Sequence, residues 1–195
     1  PGKAPLVYKL VDDFYSSFEF PEDSSLTLNA IQNKSEWTNA THFLNFAGSA
    51  DALAQLRDLR SGDEYDTYVD NLQGLAKIVA MKQGQSLVRI QGENGTYSEQ
   101  MWSFFVENPG VFAEAFVELN KGFSNGNYIS LGMYTGGERN ETHYIYTTHS
   151  DAKNQFTFFP DNEKEQKAFA KFQSSVSPIS QFRGSIISTV LGTWN

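Results

Sequence analysis

The stretch Asn140-Glu141-Thr142-His143-Tyr144-Ile145-Tyr146-Thr147-Thr148-His149-Ser150-Asp151-Ala152-Lys153-Asn154-Gln155 decides how the chain is read, because the first half carries it a second time. The copy runs from Asn39-Ala40-Thr41-His42-Phe43-Leu44 to Ser49 and then, past the extra residue Ala50, through Asp51-Ala52 to Gln55. Asn, Thr, His, Ser, Asp, Ala and Gln recur in the same order. Phe43 answers Tyr144, Leu44 answers Ile145, and the offset drops from 101 to 100 residues at Ala50. A duplicated unit is the economical explanation.

The flanks repeat as well. Upstream, Leu6, Val7, Leu10, Val11, Phe14 and Phe18 recur at helical spacing after Pro1-Gly2 and Pro5, and Phe112, Ala113, Phe116, Val117, Leu119 and Phe123 do so after Pro109-Gly110. Pro21-Glu22-Asp23-Ser24-Ser25 and Ser124-Asn125-Gly126-Asn127 break these helices. Leu26-Thr27-Leu28-Asn29-Ala30 and Ile129-Ser130-Leu131-Gly132-Met133 then alternate as strands do. Turns within Asn33-Lys34-Ser35-Glu36-Trp37-Thr38 and Gly136-Gly137-Glu138-Arg139 lead into the two Thr-His strands.

Downstream of each copy, a polar stretch leads to a second helix, Asp63 to about Ala80 and Asp161 to about Val176. Asp63 and Asp161 suit the N-cap of these helices. Closing strands follow at Ser86-Leu87-Val88-Arg89-Ile90 and Ile186-Ile187-Ser188-Thr189-Val190-Leu191. The second half also has an opening strand, Met101-Trp102-Ser103-Phe104-Phe105-Val106, which completes the order strand, helix, strand, strand, helix, strand. That is the ferredoxin-like split βαβ order. Pro1 stands where the first helix begins, without an initiator Met, so the first unit is expected to lack its opening strand and the start reads as a processed or trimmed terminus.

The expected fold class is therefore α+β: two tandem ferredoxin-like units, residues 1–92 and 93–195, forming a pseudo-twofold antiparallel α+β barrel. A sheet with helices on one face leaves the other face needing cover, and packing two units sheet to sheet supplies it. Side-by-side units, or units that each pair with another chain, satisfy the same pattern.

In element order and duplication the chain resembles the dimeric α/β-barrel superfamily, which includes antibiotic-biosynthesis monooxygenases, NIPSNAP-like proteins and stress-responsive barrel proteins. The resemblance spans nearly the whole chain and carries no signature motif. It implies a pocket between sheets for small, frequently aromatic or polycyclic compounds, and in some members a haem. Fold alone does not set function.

Composition narrows the rest. With no Cys, disulfides, thiolate metal sites and a cysteine nucleophile are excluded. A formal charge of −8, with the fifteen Lys and Arg scattered, argues against nucleic acid as partner. No apolar run reaches the ~20 residues of a membrane span, and no leader with a cleavage site is visible. Four Asn-x-Ser/Thr triplets, at Asn33, Asn39, Asn94 and Asn140, exceed the about two expected from composition and push mildly toward a secreted or periplasmic protein.

On the duplicated strands Thr41, Phe43 and Asn45 share a face with one another, as do Thr142, Tyr144 and Tyr146. Leu44, Phe46 and Ile145 are expected on the helix-packed side. Phe43, Asn45, Tyr144 and Tyr146 then line the barrel lumen as ligand-binding candidates, or fill it as core. His42 and His143 are the catalytic candidates, since only histidine titrates near neutrality unperturbed. His149 shares a face with His143, but three histidines in this arrangement make no zinc ligand set, so no metal and no cofactor is expected. No Gly-x-Ser-x-Gly elbow occurs. Gly136-Gly137 reads as a turn, and the carboxylates Asp12-Asp13 and Glu163/Glu165 read as solvated helix faces. Of the tryptophans Trp37, Trp102 and Trp194, Trp102 is expected inside.

The leading expectation is a protein that binds a small apolar or aromatic molecule in an aromatic-lined lumen. A secreted self-assembling or partner-binding subunit is the alternative, with strand addition filling the incomplete first sheet and giving a homo-oligomer. A cofactor-free monooxygenase-like enzyme is the second alternative.

Overall fold

A computed structural model describes residues 2–35, 38–92, 95–123, 126–137 and 140–195. Pro1, Glu36 and Trp37 of the first turn, Asn94 of the third Asn-x-Ser/Thr triplet, Ser124-Asn125 of the second break and Glu138-Arg139 of the second turn lie outside the described residues. The chain is α+β, with six helices and seven strands among the described residues. It divides into two compact units, Pro1–Ile31 with Ala40–Val79 and Val190–Asn195, and Gln32–Asn39 with Ala80–Thr189.

The first unit contains helix α1 (Ala4–Tyr15), most of strand β1 (Ser24–Lys34), strand β2 (His42–Gly48), and helices α2 (Ala50–Leu59) and α3 (Asp63–Leu75). Strands β1 and β2 pair antiparallel from Ala30 opposite His42 to Ser24 opposite Gly48. Leu26, Leu28, Leu44 and Phe46 turn one face of this pair toward Val11, Tyr15 and Tyr68 of the helices. Of the apolar stripe read along residues 6–18, Val7, Leu10, Val11, Phe14 and Phe18 pack into this core, while Leu6 stays exposed. Trp194 completes this core, and its indole Nε1 donates to Asp12 Oδ1 at 3.1 Å.

Strand β3 (Gln83–Ile90) opens the second unit's sheet sequence. It is followed by β4 (Ser98–Val106), helix α4 (Pro109–Gly122), β5 (Ile129–Gly136), β6 (His143–His149), helices α5 (Ala152–Phe156) and α6 (Glu163–Val176), and the first part of β7 (Ser180–Trp194). The strand order in this unit is β7-β4-β6-β5-β3, with every adjacent pair antiparallel. Taken alone, β4 to β7 have the ferredoxin-like arrangement, the opening strand sitting centrally between the third and the last. Strand β3, read from sequence as closing the first repeat, is hydrogen-bonded to β5. Helices α4 and α6 cover one face, burying Phe112, Phe116, Phe172 and Val176 against Val106, Leu131 and Ile145.

Several boundaries differ from the sequence reading for local reasons. The stretch read as polar after each Thr-His strand contains the helices α2 and α5, capped by the Ser49 and Asp151 side chains accepting from the Ala52 and Asn154 amides. The inserted Ala50 shifts the cap from the Asp to the Ser in the first copy. Helix α3 stops at Leu75, just past Gly74 and before the β-branched Ile78-Val79, instead of reaching Ala80. Asp63 is its first residue and makes no cap. Asn162, not Asp161, caps α6, accepting from the Glu165 amide while the Glu165 carboxylate accepts from the Asp161 amide.

Candidate functional site

Strand alternation gives each unit an open face, turned away from its helices. In the second unit Ile145 enters the helix-packed core, as do Trp102, Phe104 and Leu131. The residues one step out of phase share the other face. The registers set Glu99 opposite Thr148, Met101 opposite Tyr146, Ser103 opposite Tyr144, and Gly132 opposite Tyr144 on the far side. Tyr144 and Tyr146, two of the expected ligand-binding residues, lie together here.

Gly132 is what makes room for the first of them. A Cβ built at Gly132 would stand 2.0 Å from Tyr144 Cζ, so the phenol ring lies directly over the glycine backbone. Tyr134 adds a second ring 5.0 Å from Tyr144, and Tyr128 stands at 67° to Tyr146 with centroids 6.0 Å apart. The Tyr134 hydroxyl lies 3.4 Å from both Ser103 Oγ and Met101 Sδ. Lys82 Nζ sits 5.3 Å from the Tyr134 ring centre and forms a 2.5 Å ion pair with the buried Glu141 carboxylate. Burial holds the hydroxyls of Tyr134, Tyr144 and Tyr146 above the ordinary phenol range, and the Glu99 carboxylate beside Tyr146 adds to that effect.

Glu99 is the residue that the sequence reading missed. It is 6% exposed, and the Tyr146 hydroxyl donates to its carboxylate, while Glu99 Oε2 has no hydrogen-bond partner among the described residues. Burial raises its pKa, and the tyrosine hydrogen bond offsets part of the rise. Thr148, directly opposite on β6, is 5% exposed with its Oγ1 likewise unpartnered, and Ser188 faces Glu99 from β7. A carboxylate of this kind accepts a hydrogen bond or a proton more readily than an exposed one. The signal was present in the sequence: Glu99 is in phase with Met101 and Ser103. The strand, however, begins at Ser98, earlier than its apolar run.

The histidines are dispersed. His143 is buried against Phe112 on the helix-packed face, its Nδ1 2.9 Å from Thr142 Oγ1 and its Nε2 without a partner among the described residues. His149, also fully buried, lies between Asn154 Oδ1 and Gln100 Oε1, each at 3.3 Å. Burial lowers the pKa of both, opposed at His149 by Asn154. Six residues along one strand separate them, roughly 20 Å, so they form no local patch. His42 lies on β2 with Nδ1 3.0 Å from Thr41 Oγ1. Among the described residues no group of three or more His, Cys, Asp or Glu could hold a metal.

Phe43 and Asn45 belong to the open face of the first unit. Phe43 is half-buried opposite Asn29, and Asn45 is exposed opposite Thr27. Asn29 is fully buried, and neither of its amide atoms has a hydrogen-bond partner among the described residues. Trp102 packs against the second core as expected and stacks on Phe158 at 6.0 Å. A groove of about 420 Å³ runs between α4 and α6 over Ala115, Leu119 and Phe172. Its rim carries Glu114 and Glu118 beside Lys121 and Lys171, which leaves no single sign of charge to attract a ligand.

No family model matches the sequence, and no curated protein resembles it in sequence. Solved structures do resemble it in fold. A protein of Fusobacterium nucleatum subsp. nucleatum named as a monooxygenase is similar at a TM-score of 0.62 and 12% identity, over 100% of this chain and 89% of that one. A protein of Lactobacillus acidophilus named likewise is similar at 0.58 and 8% identity, over 98% and 89%. An anthrone oxidase-like protein is similar at 0.55 and 12% identity, over 99% and 87%. These likenesses bear out the fold expected from element order: the architecture is a ferredoxin-like α+β one.

Proposed function

We propose that this chain binds a small aromatic molecule on the open face of its second unit, with Tyr144 and Tyr146 as ring contacts and Tyr128 and Tyr134 beside them. The observation that carries this reading is the collection of four tyrosines in two ring pairs on the face that helices leave uncovered. Rings with polar tips, mixed with a few hydroxyls and one carboxylate, suit a flat apolar ligand with one polar end. Phe43 and Asn45 are proposed to serve the equivalent open face of the first unit. The test is the affinity for a neutral fluorescent aromatic probe such as N-phenyl-1-naphthylamine. Tyr146→Ala should weaken binding several-fold while circular dichroism stays native, and unchanged binding would remove the tyrosines from the site.

A cofactor-free oxygenase acting on a quinol-like substrate is the enzymatic form of the same reading, favoured by the names of the structural neighbours. It predicts oxygen uptake with anthrone or a naphthohydroquinone, abolished by the same tyrosine substitution. The halves 1–92 and 93–195 are proposed to descend from one duplicated ferredoxin-like unit, supported by the paired Thr-His strands and by element order. Strand addition by a partner remains tied to β2, which pairs with β1 on one side only among the described residues.

A further inference from the structure

We propose that Glu99, with Thr148 beside it, is the polar anchor of the second unit's open face and accepts the hydrogen-bond donor of an aromatic hydroxyl or amine. This inference rests on the aromatic-ligand reading above and names the ligand's polar end.

Three observations carry it. Glu99 and Thr148 are register partners across the β4–β6 pair, both nearly fully buried, and Glu99 Oε2 and Thr148 Oγ1 are each without a partner among the described residues. Buried polar atoms are nearly always satisfied in native proteins, because leaving one unpaired forfeits its hydration without return. Two such atoms converging in one cross-strand pair mark a place where a donor belongs. The second carboxylate oxygen is already committed to the Tyr146 hydroxyl, which holds the group in place and aims the free oxygen. Finally, Tyr146 is paired with Tyr128, so a group bonded to Glu99 lies next to aromatic surface. The free carboxylate oxygen of Glu99 accepts a hydrogen bond and its fixed partner is a hydroxyl donor, so Glu99 selects a ligand that donates, while the Thr148 hydroxyl can accept from that ligand or donate to it. An anionic ligand head is excluded by the carboxylate itself.

The experiment titrates the intact chain with 1-naphthol, 1-naphthylamine and naphthalene, three rings of one size with an O–H donor, an N–H donor and none, following tyrosine and ligand fluorescence. Wild type should bind naphthol or naphthylamine at least tenfold more tightly than naphthalene, and the better of the two identifies the donor. Glu99→Gln should lower that affinity about tenfold to a hundredfold and leave naphthalene within twofold, as expected when a charged acceptor is lost. Thr148→Val, a milder change, should lower it about threefold and stands in if Glu99→Gln does not fold. Equal binding of all three rings overturns the anchor while the aromatic site stands, and so does equal binding of naphthol by wild type and both variants. No binding of any ring overturns both readings together.

Discussion

The two units spend their tyrosines on opposite sides of the same kind of strand pair. In the first, Tyr15 and Tyr68 lie in the helix-packed core with Leu26 and Leu28, and Tyr65 packs against them. Phe14 stacks on Tyr68 at 4.5 Å. In the second, that side is filled by rings without hydroxyls, Phe104, Phe112, Phe116 and Phe172, and the tyrosines stand on the open face with Glu99, Ser103 and Met101. A phenol hydroxyl settles where polar company is available. The first unit brings that company into its core as Arg60, whose guanidinium lies 4.2 Å over Phe46 and counters part of the burial that pushes the Tyr15 hydroxyl up to about 12. The difference teaches that the first unit seals its tyrosines in a helix-packed core, whereas the second gathers them on the sheet face turned away from its helices.

The comparison breaks if the open face is energetically another core. Phe112→Ala and Tyr15→Ala, each emptying a fully buried site, should cost about 3–5 kcal/mol in denaturant unfolding. Tyr146→Ala should cost clearly less, under about 2 kcal/mol, since only part of its ring is removed from water by protein. Equal losses would mean that the open-face tyrosines are packing alone.

Gly132 sharpens the same point at smaller scale. Gly132→Ala drives a methyl group into the Tyr144 ring and should destabilise by about 1–3 kcal/mol. Tyr144→Ala in the same chain should recover most of that loss, and strictly additive losses would refute the ring-over-glycine packing.

The next effect depends on pH. His143 and His149 are buried on the helix-packed side with folded pKa values below the unfolded value of 6.5. Below that value the unfolded chain binds protons that the folded chain refuses, so stability falls as pH falls, by at most about 1.4 kcal/mol per histidine per pH unit. A stability curve flat from pH 7.5 to 5.5 in the Glu99→Gln background, where the opposing carboxylate is absent, would contradict this, and His143→Phe should reduce the slope. Glu99 has the opposite sign. Its folded pKa is raised, so the folded state holds its proton longer, and the penalty grows as pH rises above the unfolded value of 4.5. Glu99→Gln should therefore match wild type near pH 4 and be the more stable of the two at pH 7. A Gln variant less stable at pH 7 would show Glu99 to be paired rather than vacant.

Much of this fold was legible from local pattern. The stripe of Val7, Leu10, Val11 and Phe14 has a period near 3.6, and each period-2 strand divides its residues between two faces whatever it pairs with, so Leu44, Phe46 and Ile145 were assignable to the helix side from sequence. The short helices α2 and α5 were hidden because each depends on a cap and one or two buried residues rather than on a stripe.

The sequence by itself determined the recurring Thr-His segment, the order of the strands and of the four longer helices, and the faces on which Tyr144, Tyr146 and Ile145 stand, because these follow from spacing along one segment. Only the tertiary structure decided that β3 lies beside β5, that Gly132 sits beneath the Tyr144 ring, and that Glu99 and Thr148 meet in a buried, unsatisfied pair. Register between segments tens of residues apart is set by the packing of whole faces, and a carboxylate's burial belongs to everything around it rather than to its own position in the chain.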